Sequence, residues 1–478
     1  MDKIERRQML KTLGLAPAAG TLIGTPSASA APSTQAESGQ KPSSKQKLVM
    51  IGAGSAMFTQ GIVIDWLQRR RRDQWEIALV DINPEILTAT EKMVRRYMLT
   101  TDYPAKISAT TDRREVLAGA TMVVCTIGVG SRRAWEQDVF VPRKFGIFEP
   151  VGDSVMPGGV SRAMRMIPPM LDIARDAERM CPNARFINYS NPMTAITRAI
   201  RKHTKVQVTG LCIGTEDTLR YLARLAEVPY DTVTAGWVGV NHLTWITEIR
   251  SDGKDFWPKL RETVARQRAA NRLSQPFSWE LFDEFGAHPA PGDRHTSEFF
   301  SERFPQGKYY GKTLGVDVFS FEGTIARGDK IYADTINLAK EEGPIPAARL
   351  KTTSGEHMQM LDIFESIEHD RRRWYSINVP NSGAISNLPN DAILEIPGVA
   401  TVNGLVAPPQ GEISPALASL ILRRCAAAEI TVEAAVKGDR KLLVEAMITD
   451  GGVYDYSTAS KLADALLTAH KEHLPQFA

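Results

Sequence analysis

Cys212 and His242 are the two residues of this sequence whose types and positions point most directly to chemistry. Cys212 closes a strand-like run that begins at Lys205, and His242 closes a second such run thirty residues later. A thiolate and an imidazole, each at a strand end, can bind a divalent metal ion of intermediate softness. A cysteine in a strand is more often a small buried hydrophobic residue, so the pair alone leaves both interpretations open.

A glycine-rich turn near the start of the chain indicates a nucleotide. The apolar run 47–51 has the length of a strand, Gly52-Ala-Gly-Ser55 follows it, and residues 57–70 can form a helix. This order is typical of a dinucleotide site, in which Gly52 permits the turn and Gly54 lets the backbone approach the phosphates beside Ser55. Met57 stands where the third glycine is usual, so a glycine turn without a ligand is the alternative.

Asp81 ends the next predicted strand, which begins at Trp75. A carboxylate at this position would accept hydrogen bonds from the adenosine ribose and repel a 2′-phosphate, which favours NAD over NADP. Further apolar runs end near Thr110 and Thr126, and helical segments separate them. The alternation predicts an α/β protein with a Rossmann-type, doubly wound parallel sheet, followed by an α+β substrate and metal domain.

The first 46 residues are expected to lie outside the fold. Residues 1–31 resemble a twin-arginine signal peptide, with Arg6-Arg7 before a weakly apolar stretch and Ala28-Ser-Ala30 as the cleavage site. A disordered basic tail is the alternative. We therefore expect export by the twin-arginine machinery to the periplasm or the outside of the cell. Residues 32–46 read as a linker, 47–211 as the NAD-binding domain and 212–478 as a catalytic and oligomerisation domain.

The composition excludes several classes of protein. The 478 residues carry a formal net charge of +3, and the arginine runs at 69–72 and 371–373 are typical of solvated helix ends, so no nucleic-acid partner is expected. Four cysteines without a pattern predict no disulfide framework. The apolar part of the N-terminal segment is too short and too interrupted by Gly and Pro for insertion into a membrane.

Two asparagines, Asn188 and Asn191, end a fifth predicted strand. Ligands of doubly wound sheets bind beyond such ends, so both are placed to hold sugar hydroxyls or nicotinamide, although Asn191 before Pro192 also suits a turn. Further motifs are Val-Gly-Asp153, Pro157-Gly-Gly, Gly-Leu-Cys212, Gly-Val-Asn-His242 and the stretch 378–389. Together, over about 47–475, these motifs resemble glycoside hydrolase family 4, closest to its α-galactosidase and α-glucosidase branches.

The resemblance implies an unusual hydrolysis that uses NAD and a divalent metal, usually Mn²⁺. NAD⁺ oxidises C3 of the sugar, a base removes the C2 proton, the C1–O bond eliminates, water adds and the hydride returns. By motif match Cys212 and His242 would bind the metal, and Asn191 and Asn241 would bind substrate hydroxyls. The resemblance also implies a homodimer or homotetramer.

Proton transfer is less completely assigned. The stretch Gly292-Asp293-Arg-His295 resembles the segment that carries the base, which makes Asp293 the expected base and His295 its neighbour in the substrate or metal shell. A helix-capping aspartate in a surface turn is the alternative for Asp293. Ile213 stands where some members carry a polar residue proposed as the acid, so Asp153 or a water is expected to serve.

Export would bring the protein to glycosides without a phosphate, so we expect a non-phosphorylated α- or β-glycoside, with uronides included. A hydroxy-acid or sugar dehydrogenase would share the sheet and the nucleotide loop without needing a metal. A non-catalytic protein that binds sugar or nucleotide is a third possibility, but it leaves Cys212, His242 and Asp293 unexplained.

Overall fold

The structure, a computed structural model, describes residues 46–69, 75–102, 105–350, 355 and 357–478. The predicted signal peptide, all but the last residue of the predicted linker and most of the arginine run at 69–72 lie outside these residues. Within the described residues, no helix combines the length and the apolar character needed to cross a membrane.

Fifteen strands occur in the described residues, thirteen of them in one sheet and two in a small separate hairpin. In chain order they are β1 (Gln46–Ile51), β2 (Trp75–Val80), β3 (Lys106–Thr110), β4 (Met122–Cys125), β5 (Arg185–Asn188), β6 (Val208–Gly210), β7 (Val233–Val240), β8 (Leu243–Ser251), β9 (Lys254–Asp255), β10 (His288–Ala290), β11 (Lys308–Tyr309), β12 (Lys312–Thr313), β13 (Trp374–Pro380), β14 (Ile393–Thr401) and β15 (Gly404–Val406).

Helices cover both faces of the large sheet. In chain order, those of the described residues are α1 (Thr59–Arg69), α2 (Pro84–Thr101), α3 (Ser131–Arg143), α4 (Met156–Met180), α5 (Met193–His203), α6 (Gly214–Leu225), α7 (Trp257–Ala269), α8 (Pro276–Phe285), α9 (Asp293–Phe299), α10 (Phe321–Lys340), α11 (Met358–Glu368), α12 (Pro415–Lys437), α13 (Arg440–Asp450) and α14 (Tyr456–Ala469).

The sheet has a parallel half and an antiparallel half. Strands β3, β2, β1, β4, β5 and β6 lie side by side and are all parallel. This is the Rossmann-type order, so the predicted doubly wound sheet is confirmed. Strand β13 then pairs antiparallel with β6, and β14, β7, β8 and β10 extend the sheet further. The sheet therefore continues past the expected domain boundary at 211–212.

Burial on both faces explains why the parallel strands are uninterrupted apolar runs. Side chains alternate between the faces of a strand, so Leu48 and Met50 join one core cluster while Val49 and Ile51 join another. The first cluster packs against α1, α2 and α11, and the second against α4, α12 and α13. Helix layers on both faces hold the ends of the parallel strands in fixed positions.

A row of four residues across the sheet joins its two halves. The register places Gly210 of β6, Asn378 of β13, Glu395 of β14 and Gly239 of β7 side by side. Cys212 follows β6, and His242 lies in the turn between β7 and β8. The two predicted metal ligands therefore lie within a few residues of one row, although thirty residues separate them in the chain.

Candidate active site

The loop after β1 adopts a conformation that its glycines make possible. Gly52 has φ +91°, and a Cβ there would lie 2.8 Å from the backbone nitrogen of Ile127. A Cβ on Gly54 would lie 2.5 Å from Cγ2 of Ile86. The Ser55 amide donates to the Gly52 carbonyl at 3.0 Å and closes the turn. Larger residues at either glycine would move the loop, as expected where a backbone must approach a pyrophosphate.

Asp81 is fixed at the end of β2 by two backbone amides. Its Oδ2 accepts from Gly54 at 2.8 Å, and its Oδ1 accepts from Asn83 at 2.9 Å. A carboxylate has about four acceptor positions. The remaining ones can accept ribose hydroxyls, because Asp81 also lines the large cavity of the protein.

This cavity has a volume of about 1720 Å³ and connects the nucleotide loop with the predicted catalytic region. A cavity for one drug-sized ligand typically measures about 300–1,000 Å³, so this one has room for more than one such ligand. Its walls include seven of the predicted site residues, namely Gly52, Gly54, Ser55, Asp81, Asp153, Asn191 and His295.

Asp153, His242 and His295 form a cluster, and two of them, Asp153 and His295, line the cavity. Each offers a ligand atom, and these atoms lie within 4.8 Å of one another. Asp153 comes from the loop before α4, His242 from the turn between β7 and β8, and His295 from the first turn of α9. One carboxylate oxygen and two imidazole nitrogens at this spacing suit a divalent first-row metal such as Mn²⁺.

Local backbone and a serine hold this cluster together. His242 has φ +68° in a two-residue turn between antiparallel strands, a region that residues other than glycine seldom adopt. The Ser154 hydroxyl donates to Asp153 Oδ1 at 2.8 Å and lies 3.0 Å from His242 Nδ1. The positive φ therefore directs the imidazole towards the loop that carries Asp153.

Charges within the cluster favour the protonation states that bind a metal. Burial, and then the neighbouring His242, lower the pKa of His295 well below its usual value, so this ring is neutral at pH 7. Burial alone would raise the pKa of Asp153, but His242, His295 and Arg162 hold it below its usual value. A neutral imidazole and an ionised carboxylate are both ligand forms.

Cys212 is not one of the three residues of this cluster. The thiol is buried, and its Sγ accepts a hydrogen bond from the Gly214 amide at 3.4 Å. The structure groups His242 with Asp153 and His295, whereas the sequence paired it with Cys212. A metal-binding role for Cys212 stays a prediction, and the next residue, Ile213, does line the cavity.

Two of the three predicted substrate asparagines keep an amide oxygen for a ligand. Asn191 donates to Asp153 Oδ2 at 3.0 Å, and Asn241 donates to Glu395 Oε2 at 3.0 Å. The Oδ1 of each is buried without a hydrogen-bond partner, an arrangement that indicates a missing donor such as a sugar hydroxyl. Asn191 lines the large cavity, and Asn241 lines a small one of about 30 Å³ beside it.

Asn188 has a different role from the one predicted. Its amide nitrogen donates to the Ser190 carbonyl at 3.0 Å, and its amide oxygen accepts from the Ser190 nitrogen at 2.9 Å. The side chain is fully buried and does not line the cavity. Asn188 therefore shapes the turn after β5, and the geometry does not support contact with substrate.

Asp293, the predicted base, also has its carboxylate occupied by protein groups. Oδ1 accepts from the backbone and the hydroxyl of Ser278, at 2.8 and 2.6 Å. Oδ2 accepts from the Phe277 amide at 2.9 Å and from the Tyr309 hydroxyl at 2.5 Å. Asp293 is fully buried and does not line the cavity. The capping alternative describes it better, although the helix that it caps is α8.

Glu395, a buried carboxylate near the site, is not indicated by any of the sequence motifs. It accepts hydrogen bonds from Thr215, Asn241, Ser376 and Asn378. Thr215 lies three residues after Cys212, and Asn241 precedes His242, so Glu395 joins the two segments that the sequence pairs. Its signal was a single acid inside the apolar run 392–396, since an acid in such a run requires partners.

A second buried carboxyl fixes the loop of Asp153. Glu298 Oε1 accepts from the amides of Val151 and Gly152, both at 2.8 Å. Burial raises the pKa of Glu298 to about 8, and burial together with Glu298 raises that of nearby Glu149. Glu149 in turn accepts from the Gly158 amide at the start of α4. The loop is therefore held by two carboxyls that resist ionisation.

Residues after α14 complete the cavity wall on the nucleotide side. Glu472 and His473 line the cavity, and a Cβ on Gly130 would lie 2.6 Å from Nε2 of His473. His470 Nε2 lies 2.9 Å from Asp138 Oδ1. Asp138 also pairs with Arg165, whose Nε donates to the Val129 carbonyl at 3.1 Å. These contacts tie residues 470–473 to the loop after β4.

Comparison with known proteins bears on this site. Residues 47–228 match the model of the family 4 glycosyl hydrolases, and residues 237–453 match their C-terminal domain model. An α-galactosidase of Bacillus subtilis is 27% identical, over 90% of this chain and 100% of its own length. An α-glucosidase of Erwinia rhapontici is 28% identical, over 90% and 98%.

The fold also matches a solved structure. A 6-phospho-α-glucosidase from gut microorganisms, crystallised with NAD and Mn²⁺, superposes with a TM-score of 0.77. The superposition covers 91% of this chain and 100% of the other at 19% identity, which establishes a shared fold.

Proposed function

This chain belongs to family 4 of the glycosyl hydrolases, and from that premise we propose that it hydrolyses a glycoside with the help of NAD and a divalent metal ion. The observation that carries the proposal is that the nucleotide loop lines the same cavity as Asp153 and His295, two of the three residues of the metal-binding cluster. A dehydrogenase accounts for the loop but needs no metal cluster, and a binding protein needs no neutral imidazole beside an ionised carboxylate.

The chain supplies positions and charges for this chemistry. Bound NAD would supply hydride transfer at C3 of the sugar, and a bound divalent metal would supply Lewis-acid polarisation of the oxygen at C3. Asp153, His242 and His295 would hold the metal, with Mn²⁺ as the proposed ion. The unbonded Oδ1 of Asn191 would accept a sugar hydroxyl beside it. Asp81 would hold the adenosine ribose and exclude a 2′-phosphate.

The base must be a group that reaches the cavity. Asp293 does not, whereas Asp217 of α6 lines the cavity together with Ile213. Burial, and then the nearby Glu216, raise the pKa of Asp217, which brings this carboxylate closer to the range of an effective base at neutral pH. We therefore assign removal of the C2 proton to Asp217 in preference to Asp293.

The proposal also covers the cellular location of the protein, its substrate and its oligomeric state. We infer from Arg6-Arg7 and the small residues at 28–30 that the chain is exported by the twin-arginine route and meets glycosides without a phosphate. A homodimer or homotetramer is proposed from the family resemblance. Replacing both arginines with lysine should leave the protein in the cytoplasm on cell fractionation, and an unchanged distribution would reject the export route.

The decisive experiment identifies the cofactor and follows the sugar protons. Denaturation of purified protein should release NAD, and aryl glycosides should be cleaved with added Mn²⁺ but not in EDTA. Turnover in D₂O should place deuterium at C2 of the released sugar, without net accumulation of NADH. Stoichiometric NADH without glycosidic cleavage would identify a dehydrogenase, and activity in EDTA would reject the metal.

A pair of variants separates the two candidate bases. Asp217→Asn should stop both deuterium exchange and turnover, because an amide cannot take up the proton. Asp293→Asn should retain exchange in whatever fraction of the protein folds. The opposite result, with exchange lost only in Asp293→Asn, would restore Asp293 as the base.

A further inference from the structure

Seven arginines line the large cavity, and they divide into two groups. Four form ion pairs, namely Arg113 with Asp176, Arg132 and Arg133 with Asp329, and Arg349 with Asp334. Arg162, Arg294 and Arg327 have no carboxylate within ion-pair distance among the described residues. The three unpaired guanidinium groups are therefore the exception within this cavity.

Among the three unpaired arginines, Arg294 is the one with a buried donor nitrogen that has no hydrogen-bond partner. It lies on α9 directly before His295, and its Nη2 donates to the Thr324 hydroxyl at 3.0 Å. Its Nε is buried without any hydrogen-bond partner. A half-buried cation whose Nε is a buried, unused donor is unfavourable unless an anion binds there.

Arg162 also lines the cavity and also has no carboxylate within ion-pair distance among the described residues. Its Nε donates to the Asn191 carbonyl at 3.0 Å, and its guanidinium lies 5.5 Å from the Trp135 ring centre. Both arginines interact electrostatically with Asp153, so the excess positive charge lies at the metal end, where the sugar would bind.

We propose, resting on the function proposed above, that the substrate is a glycosiduronic acid whose C6 carboxylate binds Arg294, with the charge of Arg162 in support. A planar guanidinium matches a carboxylate geometrically, and the unused Nε supplies a donor. The recognised chemistry is an oxyanion on the sugar, which a sugar 6-phosphate would share. The carboxylate is the member of this class that an exported enzyme meets.

The test compares three aryl glycosides of the same anomer that differ only at C6, which carries a hydroxymethyl, a carboxylate or a phosphate ester. Wild-type enzyme with NAD and Mn²⁺ should show the highest kcat/KM on the uronide. Arg294→Gln should lower kcat/KM on the uronide by about 10²-fold, the value of a charge-assisted pair, and change it on the neutral glycoside only a few-fold. Arg294→Lys should fall between the two.

A binding measurement makes the result independent of turnover. Free hexuronate should raise the Tm of the nucleotide-loaded wild type more than the matching neutral hexose does, and Arg294→Gln should remove this difference. Arg303→Gln is the matched control, because Arg303 pairs with Glu284 outside the cavity. It should leave both the substrate preference and the hexuronate shift unchanged.

The outcomes separate this inference from the function on which it rests. A preference for the neutral glycoside that Arg294→Gln leaves unchanged would overturn the inference while the function stands. A preference for the 6-phosphate that depends on Arg294 would overturn the carboxylate as the bound group. If no glycoside is cleaved with NAD and Mn²⁺, the function fails, and the hexuronate shift still decides whether Arg294 binds a carboxylate.

Discussion

The nucleotide end and the metal end of the cavity are built in opposite ways. The nucleotide end is nearly continuous in sequence, since Gly52, Gly54 and Ser55 lie in one turn and Asp81 ends the next strand. The metal end joins Asp153, His242 and His295, which come from three segments far apart in the chain. A local motif specifies the first end, whereas only the complete fold assembles the second.

The two ends also use different physical constraints. At the nucleotide loop, space is limiting, because a Cβ at Gly52 or Gly54 would contact neighbouring atoms at 2.8 Å or less. At the metal end, polar side chains satisfy one another, as Ser154 and Asn191 both do with Asp153. Substitutions at one end should therefore leave the other end largely intact, which can be tested.

The largest effect is expected from removing a metal ligand. His295→Ala or Asp153→Asn should lower kcat/KM by about 10³-fold or more, because a metal supplies several kcal/mol of charge stabilisation. Metal affinity, measured by titration with Mn²⁺, should fall in parallel, while NAD affinity changes little. Cys212→Ser belongs in the same series, and an equal loss of metal affinity in that variant would add the thiol to the ligand set.

Asp293→Ala should affect stability rather than metal binding. The variant leaves two backbone amides at the start of α8 and the Tyr309 hydroxyl without their acceptor, which should cost about 3 kcal/mol of unfolding free energy. Urea denaturation measures this loss. Asp283→Ala, which breaks an exposed pair with Arg268, should cost less than about 1 kcal/mol. Equal losses would contradict the capping role.

Asp81→Ala should act only at the nucleotide end. Loss of the ribose acceptor should weaken NAD binding about tenfold and reduce the preference for NAD over NADP. Mn²⁺ affinity should remain that of the wild type. Wild-type protein that is purified with NADP would overturn the assignment of Asp81.

The last prediction concerns pH and the carboxyl that holds the loop of Asp153. Glu298 has a pKa of about 8 in the folded protein, above its usual 4.5. The folded state therefore holds a proton that the unfolded state has lost, and stability should decrease as pH rises through this window, by about 1 kcal/mol per unit. Glu298→Gln mimics the protonated form and should flatten the dependence between pH 5 and 8. An unchanged slope would contradict the raised pKa.

The sequence was sufficient for the parallel half of the fold. Strands β1, β2 and β5 begin within one residue of the predicted apolar runs, and the runs are legible because burial on both faces makes such strands continuously apolar. Gly52, Gly54 and Asp81 occupy the predicted positions because strand, turn and helix are consecutive. Where the residues of a site are consecutive in this way, the local sequence is sufficient to predict their arrangement.

The metal end could be predicted only in part. His242 and Asn191 lie where expected, but pairing His242 with Asp153 requires the positive φ of the turn and the position of Ser154, which no local pattern encodes. Asp293 was expected to be the base because its segment resembles the one that carries the base in the family, and only the packing of α8 reveals its four hydrogen bonds. Glu395 was missed because its four donors come from three separate segments.

The contact between His473 and the loop after β4 has a consequence for the order of synthesis. A ribosome completes the strand, turn and helix of the nucleotide loop long before it reaches residues 470–473, which supply the opposite wall. A nascent chain can thus fold its phosphate loop early, yet its cavity stays open on one side until these residues emerge from the exit tunnel. The cavity wall is therefore complete only in a chain whose synthesis has passed residue 473.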